Sequence, residues 1–365
     1  MTRNWRSLFG WAALGGVAAL APDAALAQSP VSFEGQTIEW VIPYGEGGGN
    51  DAWARFFAPY LGKHLPGAPT VIVRNVPGGS GLTGANDFAK RPATDGSAVL
   101  GMSGSNQFPY LLGDKRVQYD YKDFTPILAS PTGAVVYVSK SQGISGPAEL
   151  AKLRGKELVF ANTGATSLDL VLMLGMDMLG LDVRHVFGMR SRGETRIAFE
   201  RGEATIDYQT SSSYLTNIAP MVAAGDVVPL FSLGALDENG KIVRDPSFPD
   251  IPHLLEVYEM VNGKAPDAGP QYDAFIAFFG AGFPAQKLLL ISNRTPANIV
   301  EAYRKAMADA VADPELQARK GDVLGEYKQA TGTAADKLFG VATTITPEAK
   351  AWMQNYLTTN YNVKF

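Results

Sequence analysis

The sequence predicts an α/β fold in two lobes, each a mixed, mostly parallel sheet flanked by helices. Three observations carry this. Short β-rich runs lead at once into glycine-rich loops and then into helical segments, twice before Ser103. Strands that alternate with helices imply a largely parallel sheet. The same alternation starts afresh after Ser130-Pro131. Finally, 365 residues with 46% hydrophobic side chains are enough for two cores, at the usual scale of roughly 100–200 residues per domain.

The first element is an address rather than a fold element. Arg3 and Arg6 precede an apolar run over 8–20, and Ala25-Leu26-Ala27 follows. A basic start, an apolar centre and an A-x-A site form the pattern of a cleaved secretory signal. It predicts removal of residues 1–27 and a mature start at Gln28. The run is shorter than the ~20 residues a membrane-spanning helix needs. Gln28, not cysteine, follows the site, which argues against a lipid anchor. Removing Arg3, Arg6 and Asp23 takes the formal net charge from -4 to about -5. A mildly acidic chain without a basic run argues against nucleic acid as partner. The chain has no cysteine, so disulfides, thiolate metal sites and cysteine nucleophiles are excluded.

Residues 37–43 (TIEWVIP) read as a strand, 45–49 as a glycine loop, and Asn50 or Asp51 as the start of a helix. Trp53, Phe56, Phe57, Tyr60 and Leu61 give that helix its apolar face. Pro59 inside it predicts a kink or an end. Residues 70–76, 77–81 and 83–90 repeat strand, loop and helix. A third strand over 97–102 ends in a polar loop, 103–107. The second lobe is expected to hold strands at 134–138, 157–161, 185–187, 204–208 and 227–233. Between them fall helices at 147–153, 168–179 and 194–201. Residues 235–270 read as a long crossing segment, 287–291 as a strand, and a helix starts after Thr295-Pro296. Its apolar face holds Ile299, Val300, Tyr303, Met307, Ala310 and Val311. The expected division is lobe I from 28–131 plus 240–365, and lobe II from 132–239. No later run is long and apolar enough to span a membrane.

The residues that suggest chemistry lie at strand ends, where open α/β sheets bind ligands. The glycines of 45–49 allow close backbone approach, and the following helix offers free N–H groups and a favourable dipole to an anion. Glu46 opposes an anion unless it points away or meets a donor on the ligand. Loop 162–167 leads into a helix in the same way. There Thr163, Thr166 or Ser167 either caps the helix or binds a carboxylate. Arg190 and Arg192 are either a solvated pair or hold a carboxylate bidentately. Residues 207–213, with Tyr208 and Gln209, are either pocket wall or plain loop.

Other chemistry finds little support. Gly79-x-Gly81-x-x-Gly84 matches a dinucleotide fingerprint but lacks the acid about 20 residues on. These glycines instead let the second loop pack against the first. The segment from Gly101 to Ser105 misses the G-x-S-x-G nucleophile elbow by one position. His64, His185 and His253 fall in no metal or catalytic spacing, so neither a metal nor a cofactor is expected.

The order of residues 41–51 (VIPYGEGGGND), 73–81 (VRNVPGGSG) and Asp95-Gly96 resembles the periplasmic receptors of tripartite tricarboxylate transporters, the Bug or TctC-like proteins. The likeness continues through 160–164, 199–203, 249–252 and Thr295-Pro296. It implies a two-lobe Venus-flytrap binding protein of the type II-like class, monomeric and without catalysis. It also implies an organic acid as ligand and the transporter's membrane subunits as partners. Its pocket loops fall on Tyr44, Glu46, Gly47, Gly48, Asn50 and Asp51, on Ser103, Ser105 and Asn106, and on Thr163, Ala165 and Thr166. Arg190, Tyr208 and Gln209 complete the candidate site. Glu46, the segment 188–190 and the apolar stretch 275–283 depart from the family pattern. Two alternatives remain at this point: a ligand-presenting partner of a membrane receptor kinase, and an exported α/β hydrolase.

Overall fold

The computed structural model describes residues 30–365, apart from Glu238 and the side chain of Asp322. The expected signal sequence lies outside the described residues. The strands are β1 (Thr37–Ile42), β2 (Thr70–Asn75), β3 (Ala98–Ser103), β4 (Phe124–Ser130), β5 (Ala134–Ser139), β6 (Leu158–Asn162), β7 (Val183–Phe187), β8 (Ile206–Thr210), β9 (Val227–Ser232), β10 (Ala235–Leu236), β11 (Ile242–Val243), β12 (Lys287–Ser292) and β13 (Ala330–Thr331). The helices that matter below are α1 (Gly49–His64), α2 (Leu82–Lys90), α3 (Gly104–Leu112), α4 (Asp169–Met178), α5 (Arg192–Glu200), α6 (Leu254–Asn262), α7 (Pro270–Gly282), α8 (Ala297–Ala312), α9 (Gly332–Thr343) and α10 (Pro347–Tyr361).

A six-stranded sheet in the order β13-β4-β12-β3-β1-β2 draws on both ends of the described chain. The middle of the chain forms a three-stranded sheet, β8-β5-β9, and the pair β6-β7. This is an α/β fold with mixed sheets flanked by helices. Parallel pairing joins β1 to β2 and β3, and β6 to β7. β12 runs antiparallel to both β3 and β4, which puts its first residue, Lys287, at the carboxyl ends of those strands. The β4–β12 register shifts at Leu290 opposite Pro126, where the missing N–H breaks the ladder.

Several sequence expectations need correction. Residues 103–107 are not a loop: Ser103 ends β3 and Gly104 opens α3. Apolar Phe108, Leu111 and Leu112 drive that helix into the core. β4 and the helices α9 and α10 had no counterpart in the sequence analysis. The segment 235–270 is not one irregular crossing, since it holds the hairpin β10–β11 and helix α6. Helix α1 runs unbroken over Pro59. Pro59 sits on its exposed side, where the carbonyl left unpaired one turn earlier can bond to water.

The apolar stretch 275–283 becomes α7, whose buried Phe275, Phe278 and Phe279 join one hydrophobic cluster. That cluster reaches from Leu100 and Met102 of the large sheet to Val136, Phe160 and Leu170 around the smaller ones. Helix α7 packs on α3, α4, α9 and α10, so it ties the two groups of strands together.

Candidate functional site

The site grows from three helix starts at strand ends. At the first, β1 passes through Tyr44 and the glycine loop into α1. Gly48 is the residue before the helix, with no side-chain cap. The N–H groups of Gly49, Asn50 and Asp51 receive no partner from the described residues. Glu46, Gly47 and Gly48 are exposed and Asn50 is half-buried. Asp51 is buried and already engaged: it accepts from the Gly47 N–H at 2.8 Å and from Arg55 Nε at 2.9 Å. Burial works to raise its carboxyl, but the bonds from Arg55 and Gly47 outweigh this and hold it below its ordinary value. Asp51 therefore shapes the loop, while the free N–H groups face outward with the positive end of the helix dipole.

Tyr44 fixes this loop to the second helix start. Its hydroxyl lies 2.8 Å from Ser103 Oγ and donates to Asn106 Oδ1 at 2.5 Å. Asn106 also accepts from the Ser103 N–H at 3.2 Å and donates to the Gly81 carbonyl at 3.0 Å. Burial raises the Tyr44 hydroxyl well above its ordinary value, so it stays protonated. A β-carbon at Gly81 would come within 2.7 Å of the Tyr44 ring, and Gly81 has a φ of +94°. Only glycine suits that approach and that conformation. The second glycine loop thus packs against the first, as the sequence suggested. Ser105 is half-buried at the start of α3.

The third start is the loop from β6 to α4. Thr163 is not a free ligand group. Its N–H and its hydroxyl both donate to Asp169 Oδ2, at 2.6 and 2.7 Å, and the hydroxyl also bonds Ser167 Oγ. Ala165 and Thr166 stay half-buried. Leu168 closes the gap between the second and third starts, lying 3.8 Å from where a β-carbon would stand at Gly104. The third loop therefore packs against the second helix start.

Behind the third loop lies a buried network that the sequence did not reveal. Arg192, at the start of α5, donates to Asp169 Oδ1 at 3.2 Å, to the Tyr208 carbonyl at 2.5 Å, and to Asp207. Its guanidinium lies 3.8 Å from the Tyr208 ring centre. Asp169 and Asp207 are fully buried. Burial raises the Asp207 carboxyl above its ordinary value, against the opposing pull of Arg192. Tyr208 donates to Asp169 at 2.7 Å, and Gln209 donates to Asp207 and to the Arg192 carbonyl. The resemblance sets both at the pocket wall; here the Tyr208 hydroxyl and the Gln209 amide nitrogen are taken up by this network, and Gln209 Oε1 accepts from Ser213 at 2.9 Å. Arg190, the other arginine, is 89% exposed in its side chain and bonded to Glu194. Of the arginine pair, the buried one braces the loop and the solvated one stands outside it.

One further residue was unmarked by the sequence beyond its place in a strand. Lys287 opens β12 opposite Ser103 and Ser130. Burial alone lowers its ammonium to about 8, and no ion pair to a described residue offsets it.

The histidines hold structural places. His185 contacts Asn162 at 3.0 Å, and burial lowers it to about 4. His64 bonds Asp313, and His253 caps α6. No cluster of three potential metal ligands exists among the described residues. A separate groove of about 580 Å³ lies beside Glu39, Arg74, Asp87 and Arg91, on the α2 side of β1 and β2. It shares no residue with the three loops. Its two arginines, Arg74 and Arg91, share the groove with the carboxylates of Glu39 and Asp87, and Arg74 is already paired with Glu39 at 2.8 Å, so the loops are the stronger candidate for an acid ligand.

No protein-family model matches the chain. A UPF0065 protein from the tcbD-tcbE intergenic region of Pseudomonas sp. strain P51 is 25% identical over 304 residues, spanning 80% of this chain and 78% of that one. A TctC solute-binding protein from Polaromonas superposes with a TM-score of 0.64 at 20% identity, over 90% of this chain and 100% of that one. The chain has the fold of a TctC-type periplasmic solute-binding protein. MatC of Rhodopseudomonas palustris, solved with bound malate, shares this fold with a TM-score of 0.57 at 20% identity, over 88% of this chain and 99% of that one. In this fold the resemblance seen in the glycine loops extends to the path of the chain. The helix starts at Gly49, Gly104 and Asp169 all follow strands of the fold's two groups.

Proposed function

We propose that this chain is a periplasmic solute-binding protein that captures a small organic carboxylate between its two lobes. The observation that carries the reading is the start of α1. Its unpartnered N–H groups at Gly49 and Asn50 sit beside a glycine loop that is held open by Asp51 and Tyr44. Backbone N–H groups at a helix start bind carboxylates without a fixed charge. The malate bound by MatC, a protein of the same fold, fits this chemistry.

In this reading residues 1–27 direct export. Lobe I comprises 28–131 plus 240–365 and lobe II 132–239, with hinges near 130–135 and after Leu233. The Asp169–Arg192–Asp207 network keeps the Thr163 loop in place on the lobe II side. The chain acts without catalysis and delivers its ligand, as a monomer, to the membrane subunits of a tripartite tricarboxylate transporter.

The test is a thermal-shift screen of the mature protein against organic acids, repeated with Asn50→Ala. An acid present at about 100 times its Kd adds about 2.7 kcal/mol of stability, a shift easily seen. Asn50 makes no side-chain bond to a described residue, so its variant is expected to melt unchanged without ligand and to bind about tenfold more weakly. If Asn50→Ala binds every stabilising acid as tightly as the parent, the Asn50 side chain takes no part in the site, and if Gly49→Pro, which removes a first-turn N–H at a position that tolerates proline, does so too, α1 is not the carboxylate site.

A further inference from the structure

Lys287 has an unusual position for a lysine. Residues paired across adjacent strands point to the same face of a sheet, and Lys287 is paired with both Ser103 and Ser130. Two observations identify that face. Ser130 Oγ accepts from Trp53 Nε1, on α1, at 2.8 Å. A β-carbon at Gly101, two residues before Ser103, would point into Trp40, Ile42 and Trp53. The next residues on β12 alternate accordingly, since Leu288 and Leu290 join the cluster on the opposite face with Leu100 and Met102. Lys287 therefore stands on the α1 face, at the carboxyl ends of β3 and β4, where α1 begins.

Lys287 is half-buried, and an ammonium drawn partly out of water without a counter-ion is destabilised. Among the described residues none pairs with Lys287, and its ammonium is weakened by burial alone. Of the titratable groups at the start of α1, Tyr44 is committed to Ser103 and Asn106, Asp51 to Gly47 and Arg55, and Glu46 is exposed and makes no bond to Lys287. A cation left unpaired at the mouth of a candidate ligand site is open to an anion from outside.

We propose that Lys287 is an anion-anchoring residue of the cleft, its ammonium taking up a carboxylate of the bound acid beside Ser103 and Ser130. The proposal rests on the carboxylate-receptor reading and adds to it a fixed positive charge, which the loops alone do not supply. Charge-assisted bonds of this kind are worth about 1.5–3 kcal/mol, or about 10- to 150-fold in affinity.

The experiment compares the parent protein with Lys287→Gln and Lys287→Arg by calorimetry, using malate, succinate, adipate and hexanoate as probes. Lys287→Gln is expected to lose at least tenfold in affinity for each acid that the parent binds, and Lys287→Arg to lose less. In the parent, affinity should fall about tenfold per pH unit above pH 8, as the ammonium is lost, whereas Lys287→Gln should show no such fall. Tyr44 stays protonated and Asp51 ionised over that range. Without ligand, Lys287→Gln should melt at the parent's temperature or above, because an uncompensated charge is gone. Equal affinity of parent and Lys287→Gln for the same acid, or a large fall in the unliganded melting temperature, would overturn the role of Lys287 and leave the receptor reading standing. If the parent binds none of the probes, the receptor reading for these acids falls, and this assignment falls with it.

Discussion

Replacing Arg192 by methionine removes one guanidinium and leaves two buried carboxylates facing each other. Methionine keeps much of the aliphatic length but loses the guanidinium stacked on Tyr208, so the change removes the charge, its bonds and that stacking together. The variant loses the bonds to Asp169 Oδ1 and the Tyr208 carbonyl, and the contact with Asp207. Breaking a buried ion pair by removing one partner costs about 3–5 kcal/mol. The remaining bonds moderate the loss. Asp169 keeps Thr163 and Tyr208, and Asp207 keeps Tyr137 and Gln209. We therefore expect about 3 kcal/mol at pH 7.5, measured by urea denaturation, which leaves a protein of ordinary stability folded. The loss should shrink at pH 5. Burial already raises the Asp207 carboxyl, and Arg192 is the largest of the groups that oppose that rise, ahead of Tyr137 and Gln209. Without Arg192 the folded state takes up a proton more readily than the unfolded chain. Its stability is then greatest below the unfolded carboxylate value and declines as pH rises through the folded one. A deficit under about 1 kcal/mol at pH 7.5, or one equally large at pH 5, would refute the network's role.

Two further outcomes follow from the junction near Gly133. A β-carbon there would lie 1.9 Å from Asp245 Oδ2 and 2.2 Å from the Tyr327 hydroxyl. Gly133→Ala should therefore destabilise by about 3 kcal/mol, read as a lower urea midpoint, and parental stability would contradict this packing. Asp245 is fully buried, accepts from Tyr327 at 2.8 Å and from the Ser247 N–H at 2.9 Å, and burial raises it to about 6. Its contribution is thus full below the unfolded carboxylate value and lost as pH rises through about 6. Asp245→Asn should equal or exceed the parent at pH 7.5, by at most about 3 kcal/mol, and flatten the pH dependence of stability between about pH 4 and 6. Destabilisation by more than about 1 kcal/mol at pH 7.5 would show that the carboxylate itself is required.

The fold was legible where local chemistry decides it. The strand–glycine–helix units near Gly45 and Gly81 followed from turn chemistry and from the spacing of Trp53, Phe57 and Leu61. The sequence fails where distant partners decide. Pro109 and four polar residues concealed α3, whose start depends on Tyr44 and Gly81, elements apart in the chain. β4 carries Pro126 and forms because β12 pairs antiparallel beside it. Arg190 and Arg192 look alike in sequence, and only Asp169, Asp207 and Tyr208 distinguish them. Lys287 reads as an ordinary strand residue until β12 is seen between Ser103 and Ser130. The interior between β6, β8 and α4, with two aspartates on one arginine, leaves no periodic signal at all.

In the proposed function a carboxylate sits at the start of α1, between the glycine loop and the Thr163 loop. A crystal structure of the mature protein with the most stabilising acid tests it most directly. Its carboxylate oxygens are expected about 3 Å from the N–H groups of Gly49 and Asn50, with the segment 162–167 closing the other side. An acid seated instead in the groove beside Glu39 and Arg74 would contradict it.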